Sequence, residues 1–373
     1  VKVTAHHIES LDVFRGITVA AMILVNNPGD WSAVFPPLVH ANWTGWTFAD
    51  LLFPWFLFIM GFTMPLALAR RRTQGQQTHH LHRRIIRRAV LLIALGLVLN
   101  AVAGPWTSPL RFPGVLQRIA LVYVVATLTV LHLDVAGWIA VAVALLLGHW
   151  ALLTLVPFEG YPAGTLTPDH NLARYLDTLV FGRHVLASAR TDPEGLLGTM
   201  SAVATALGGA VAGHLWRSAS SSMQRTRALV ILGVIALAAG LAWSWVLPLS
   251  KPLWTPSYAL MVTGLAALTL ALTFLIVDVA GLRTWARPFV WLGVNPLAIY
   301  FLSEMVGHLL EVPWITGRGA PMSPKLWLFW SVLEPAMRPW RPEWASLTFS
   351  VLFVALWIGA AGTLYWKHLR VAV

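Results

Sequence analysis

Residues 228–242 read ALVILGVIALAAGLA, fifteen consecutive positions without a charge. AVLLIALGLVL at 89–99 and IALVYVVATLTV at 119–130 repeat the pattern. With their flanks such blocks reach the roughly 20 residues a helix needs to cross a ~30 Å hydrocarbon core. Only helices and closed barrels satisfy their backbone in lipid, and no alternating strand pattern occurs here, so the blocks read as a helical bundle. Composition agrees: 57% of the 373 residues are hydrophobic and 11% charged, against about 25% charged in soluble domains.

Working outward, the pattern predicts an all-α polytopic membrane protein of about ten transmembrane helices. They fall near 12–28, 48–69, 86–104, 114–132, 135–156, 195–216, 227–248, 256–277, 287–310 and 345–366. The first contains Arg15 and ends at Asn26, Asn27 and Pro28; without a small-residue cleavage site it does not read as a signal peptide.

Lys and Arg set the orientation. Arg70, Arg71, Arg72, Arg83, Arg84, Arg87 and Arg88 lie between spans two and three, Arg217, Arg225 and Arg227 between six and seven, Arg283 and Arg287 between eight and nine, and Lys367 and Arg370 in the tail. The 29–47 loop has no Lys or Arg, and the loops at 104–113 and 249–255 have one each, Arg111 and Lys251. Basic and poor loops alternate, which places both termini in the cytoplasm. The net charge of +11 is then a topology signal and not a nucleic-acid footprint. With no cysteine, disulfides, thiolate metal sites and a cysteine nucleophile are excluded. Residues 1–373 read as a single transmembrane domain; the halves 1–156 and 195–366 share no alignable motif.

Polar groups near lipid are costly and point to function. They are densest between residues 10 and 61: Asp12 and Arg15 at the inner end of span one, Asn26 at its outer end, His40 in the following loop, and Asp50 at the start of span two. Each also has a structural reading. Asp12 and Arg15 are spaced to pair on one helix face, Asn26 can cap a helix end, Asp50 suits a first turn, and a lone loop histidine is commonly solvated. Together they bring a base, an amide donor and a carboxylate to one membrane face.

This segment resembles heparan-α-glucosaminide N-acetyltransferase and its bacterial relatives. The resemblance rests on DVFRGI (Asp12–Ile17), LVN (Leu24–Asn26), HANWTGWTFADLLFPWFLFIMG (His40–Gly61), RFPGVLQR (Arg111–Arg118) and DPEGLLGT (Asp192–Thr199), continuing through GVNPLAIY (Gly293–Tyr300) and Glu304. It implies a membrane acyltransferase that moves acetyl from cytoplasmic acetyl-CoA to an amino sugar across the bilayer. His40 is then the catalytic histidine and Asn26 a catalytic asparagine. The large lumenal N-terminal domain of the eukaryotic enzyme is not seen before DVFRGI, which implies a bacterial relative in the inner (plasma) membrane.

Acetyl-CoA is already an activated thioester, so the reaction needs proximity, a base for the amine and a donor for the oxyanion. Histidine suits the base, Asn26 can donate to the oxyanion, and the spacing lets Asp50 fix the His40 tautomer. Acetyl could relay through His40 or pass directly from coenzyme to acceptor; both routes stay open. Candidates for the coenzyme are Arg15, Arg87, Arg88, Lys367 and Arg370, together with Arg118 and Asn295; Arg118, at the outer end of span four, could equally order the transfer cavity or pair with an acid. Candidates for the sugar are Trp43, Trp46, Asp192, Glu194 and Glu304. His79, His80 and His82 lie among arginines without acidic or thiolate partners, a wet basic loop; no metal is expected. Expected partners are acetyl-CoA, the acceptor, the bilayer and a second copy in a homodimer. The competing readings are a secondary sugar transporter, against which stands the clustering of polar groups at one loop, and an O-acyltransferase acting on a surface glycan.

Overall fold

In a computed structural model of the chain, residues 8–73, 78–104, 109–186, 190–317, 320–337 and 339–370 are described. Fourteen helices follow in order: α1 Glu9–Asn26, α2 Phe48–Thr73, α3 Thr78–Ala103, α4 Val115–His132, α5 Val135–Leu155, α6 Leu172–Phe181, α7 Leu196–Ser218, α8 Ser222–Trp243, α9 Pro256–Phe274, α10 Arg287–Val294, α11 Pro296–Glu311, α12 Pro324–Leu328, α13 Glu334–Ala336 and α14 Pro342–Trp366. The only strands among the described residues are β1 Ile315–Gly317 and β2 Ala320–Met322, an antiparallel pair.

Eight of these helices are long and apolar enough to cross a membrane: α2 to α5, α7, α8, α9 with its π-helical continuation to Val279, and α14. The chain is an integral membrane protein on this ground. The two other expected spans differ. Span nine is broken into α10 and α11, bent by 88°. The break falls where Pro296 removes a helix N–H and forces Asn295 (φ −125, ψ 49) out of helical geometry. Span one forms α1, but Glu9, Asp12 and Arg15 leave it too charged to count by composition. The arginine-rich stretch read as a loop is largely helix, since α2 runs to Thr73 and α3 begins at Thr78.

The chain forms two compact units, one from Val1–Val39 with Thr269–Ala372, the other from His40–Leu268. In the second, α7 is central and packs on α2, α4, α5, α6 and α8. Lipid supplies no hydrophobic drive between helices, so close backbone approach matters. At Gly61 of α2 a Cβ would lie 1.8 Å from the Ala206 carbonyl oxygen, and at Gly209 of α7 one would lie 2.1 Å from that of Phe58. The two backbones touch. In the first unit α1 packs on α10, α11 and α14, and Gly16 and Gly293 bring the α1 and α10 backbones together in the same way.

One end of the second unit gathers the starts of α2, α4, α7 and α9. There Leu153, Phe158, Leu172, Leu197, Leu247 and Leu253 form a buried apolar cluster, with Trp43 packed against it. The 40–47 loop is pinned over this end: Gly45 N donates to Leu249 O at 2.8 Å and Trp43 Nε1 to Leu166 O at 2.8 Å.

Candidate active site

Asp50 lies in the first turn of α2, and its carboxylate organises the loop before it. Oδ2 accepts from Thr47 N (2.9 Å), Thr47 Oγ1 (3.2 Å) and Ala41 N (3.0 Å), while Oδ1 lies 2.8 Å from His40 Nδ1. The same group therefore caps a helix and orients an imidazole. Its side chain is fully buried, whereas that of His40 is 49% exposed. His40 is thus the open member of the pair, the one that can meet a substrate. Tyr258 Oη donates to the Asp50 backbone carbonyl from α9.

Lys251 completes the cluster. Its ammonium is 3.4 Å from Asp50 Oδ1, 3.0 Å from His40 Nδ1 and 3.3 Å from Nε2. Burial pushes the Lys251 pKa down, and the Asp50 and Glu194 charges only partly restore it.

Beside this cluster Arg111 spans two acids: Nε and Nη2 reach Asp192 at 2.9 and 2.5 Å, and Nη2 reaches Glu194 at 2.6 Å. Burial works against the Arg111 charge, but Glu194 and Asp192 raise its pKa above the ordinary arginine value. Burial likewise pushes Asp192 up, yet Arg111 and the Glu194 and Leu186 N–H groups hold it below the usual carboxylate range. Arg118 is buried, donates to Gly195 O at 2.7 Å and covers the Trp254 ring at 4.9 Å. Its Nε and Nη1 have no hydrogen-bond partner among the described residues. Asp177 of α6 accepts from Leu196 N at 2.8 Å; burial raises its pKa from 3.8 to about 6. A cavity of about 510 Å³ opens nearby in the 157–194 segment, lined by Phe158, Tyr175, Glu159, Asp169 and Arg174 among others, the mixture of rings and acids that suits a polyhydroxylated cation.

The first unit holds a second polar pair. Asn26 Nδ2 donates to Glu304 Oε1 at 3.1 Å. Arg15 bonds Asp12 Oδ1 (2.9 Å) and Gly293 O (3.1 Å), and Asn295, at the break between α10 and α11, donates to Leu369 O at 3.0 Å.

The structure thus joins His40 with Asp50, Asn26 with Glu304, and Asp192 and Glu194 with Arg111. Trp43 is half-buried and committed to Leu166, whereas Trp46 is exposed. Of the coenzyme candidates, Arg87, Lys367 and Arg370 are exposed, Arg88 lies over Tyr123 at 4.7 Å, Arg118 sits beside Gly195, and Arg15 and Asn295 are engaged as above. Among the described residues no three His, Cys, Asp or Glu side chains are disposed to hold a metal ion. Sequence reasoning missed Lys251 and the bridging role of Arg111. Both carried a signal, as the lone basic residues in loops otherwise poor in them.

Residues 7–171 match the family described as heparan-alpha-glucosaminide N-acetyltransferase, catalytic, a stretch that contains Asn26, His40, Asp50, Arg111 and Arg118. The human heparan-alpha-glucosaminide N-acetyltransferase is 31% identical over 364 residues, covering 82% of this chain and 54% of the relative. The mouse protein of the same name is 29% identical over 371 residues, with 83% and 55% covered. The chain spans about half the length of these curated relatives. The matched stretch carries the His40–Asp50 pair, so the chain is similar to the heparan-alpha-glucosaminide N-acetyltransferase family across its catalytic region.

Proposed function

We propose that this chain is a transmembrane acetyltransferase that moves the acetyl group of cytoplasmic acetyl-CoA to the amine of a glucosamine-type sugar on the other side of the membrane. The observation that carries the reading is the His40 imidazole, half exposed and held at Nδ1 by the buried Asp50 carboxylate, within the stretch similar to the family's catalytic region. Both units belong to one acyltransferase domain on this reading, and the basic ends of α2 and α3 face the cytoplasm.

Acetyl-CoA supplies a thioester carbonyl. As the amine attacks it, a C–N bond forms and the amine proton passes to His40 Nε2, while Asp50 keeps the other ring proton on Nδ1. The C–S bond then breaks, and the proton on His40 goes to the departing thiolate. A relay through acetyl-His40 uses the same residues. Asn26 serves as oxyanion donor in either scheme. The cavity beside Phe158 and Tyr175 is the proposed approach for the sugar.

Vesicles reconstituted with the full chain, with glucosamine enclosed and labelled acetyl-CoA outside, test the reading. N-acetylglucosamine accumulating inside supports it. Acetylated hydroxyls with untouched amine would replace it by an O-acyltransferase. One observation favours a transporter as second reading: the span broken by 88° between α10 and α11, a device of many carriers. Sugar flux without acetylation would favour that function.

A further inference from the structure

Lys251 is a nearly buried cation at the His40–Asp50 pair. It is the single Lys or Arg of its loop, in a position that the charge asymmetry of the other loops disfavours. Its side chain is only 10% exposed, and Nζ lies within 3.0 to 3.4 Å of three atoms, both His40 ring nitrogens and Asp50 Oδ1. The turn that carries it is tightly made. Trp254 N donates to Lys251 O at 2.9 Å, Thr255 N to Ser250 O at 3.1 Å, and Ser250 N to Thr255 Oγ1 at 3.1 Å. Trp254 itself takes φ +49 although it is not glycine, a backbone cost that surrounding contacts must hold in place. Arg118, stacked over the same ring, is one of those contacts. The ammonium is thus delivered by a preorganised turn to the edge of the imidazole.

We infer that Lys251 is a positioning residue for His40: it is the counter-ion of the buried Asp50 carboxylate, and it thereby leaves His40 a neutral, proton-accepting imidazole. The inference rests on the reading of His40 as the base. A buried carboxylate demands a positive partner. With Lys251 in place Asp50 is neutralised by the lysine, and His40 need only donate Nδ1–H. Without it, the nearest group able to neutralise Asp50 is His40 itself, as imidazolium, which cannot accept the amine proton. The other charges facing Lys251 are Glu194 from the segment before α7 and Arg118 from α4; Arg111 is committed to Asp192 and Glu194.

The test reads His40 directly, without turnover. Diethylpyrocarbonate modifies a histidine only in its unprotonated form, and modification at His40 itself is quantified by mass spectrometry of its peptide across pH in the full-length protein. Lys251→Met and Lys251→Gln should each move the half-reaction pH upward by about one to three units, the effect of an opposite charge left as sole partner. Lys251→Arg should leave it near the wild-type position. In acetylation assays the acidic limb of the kcat/KM profile should rise with it. An unmoved midpoint in folded Lys251→Met and Lys251→Gln overturns the inference, as does a downward shift. A wild-type protein that acetylates no amine would instead sink the transferase reading, and the titration would still decide the counter-ion role.

Discussion

His40 Nδ1 and Asp50 Oδ1 stand 2.8 Å apart across the boundary between a loop and a helix. The loop reaches this point because Asp50 Oδ2 gathers Ala41 N and Thr47 N as well, so the helix cap and the imidazole share one carboxylate. Two readings that compete in the sequence, a dipole-favoured first-turn acid and a tautomer-fixing acid, describe one group.

Asp50→Asn should therefore separate shape from charge. The amide keeps the volume but can donate to Nδ1, which moves the ring proton to Nε2 and removes the base. Turnover should fall by about 10²–10⁴-fold, with acetyl-CoA binding little changed. His40→Ala should lose as much, and the double variant no more than either single one, since the residues act as a unit. Steady-state acetylation with calorimetric coenzyme binding checks this; additive losses would show that the two act apart.

Arg111 is the keystone of the neighbouring acids. Removing it in Arg111→Met leaves Asp192 and Glu194 buried against each other, at a cost of about 3–5 kcal/mol. Arg111→Lys should recover only part, because one ammonium cannot reproduce the contacts made by Nε and Nη2. Thermal unfolding of the purified protein measures the order wild type, Lys, Met.

Asp177 gives a pH dependence of definite sign. Its folded pKa is raised from 3.8 to about 6 by burial, so between those values the folded state holds more proton than the unfolded state. This group's burial therefore costs nothing well below pH 4, and the cost grows until pH passes about 6. Asp177→Asn removes it. The variant should be more stable than wild type at pH 7.5, by up to about 3 kcal/mol, and the gap should shrink as pH falls and close well below pH 4. A gap independent of pH would mean that the Asp177 charge is solvated in the folded protein.

Most of the fold was legible because lipid imposes long uncharged blocks, and eight such blocks return as spanning helices. The break at Asn295–Pro296 was written in the sequence too, but proline is tolerated inside α2 at Pro54 and Pro65, so its presence alone does not locate a bend. At the site, His40 and Asp50 lie ten residues apart and could be paired by spacing. Lys251 joins them from 211 residues away, a separation that no local pattern encodes. Its trace was negative: a cation in a loop where topology disfavours one. Arg111 left the same trace, and counting it only as an exception to a charge rule concealed its two acids.

Asn26 carries the most exposed expectation. Asn26→Ala should lower turnover by about 10²–10³-fold, the usual effect of losing one oxyanion donor, while acetyl-CoA binding weakens far less. The structure sharpens the control. Because Asn26 Nδ2 donates to Glu304 Oε1 at 3.1 Å, Asn26→Asp alone would set two carboxyls against each other and slow the protein for an unrelated reason. Adding Glu304→Gln restores a carboxylate–amide pair with donor and acceptor exchanged. If Asn26 acts only through that contact, the double variant should regain near-normal turnover. If its amide N–H is the donor to the reacting carbonyl, the double variant should fold with wild-type thermal stability and remain as slow as Asn26→Ala. Steady-state acetylation beside thermal unfolding separates the two, and a fast double variant would move the oxyanion donor elsewhere, with the Arg118 N–H groups that lack partners among the described residues as the next to test.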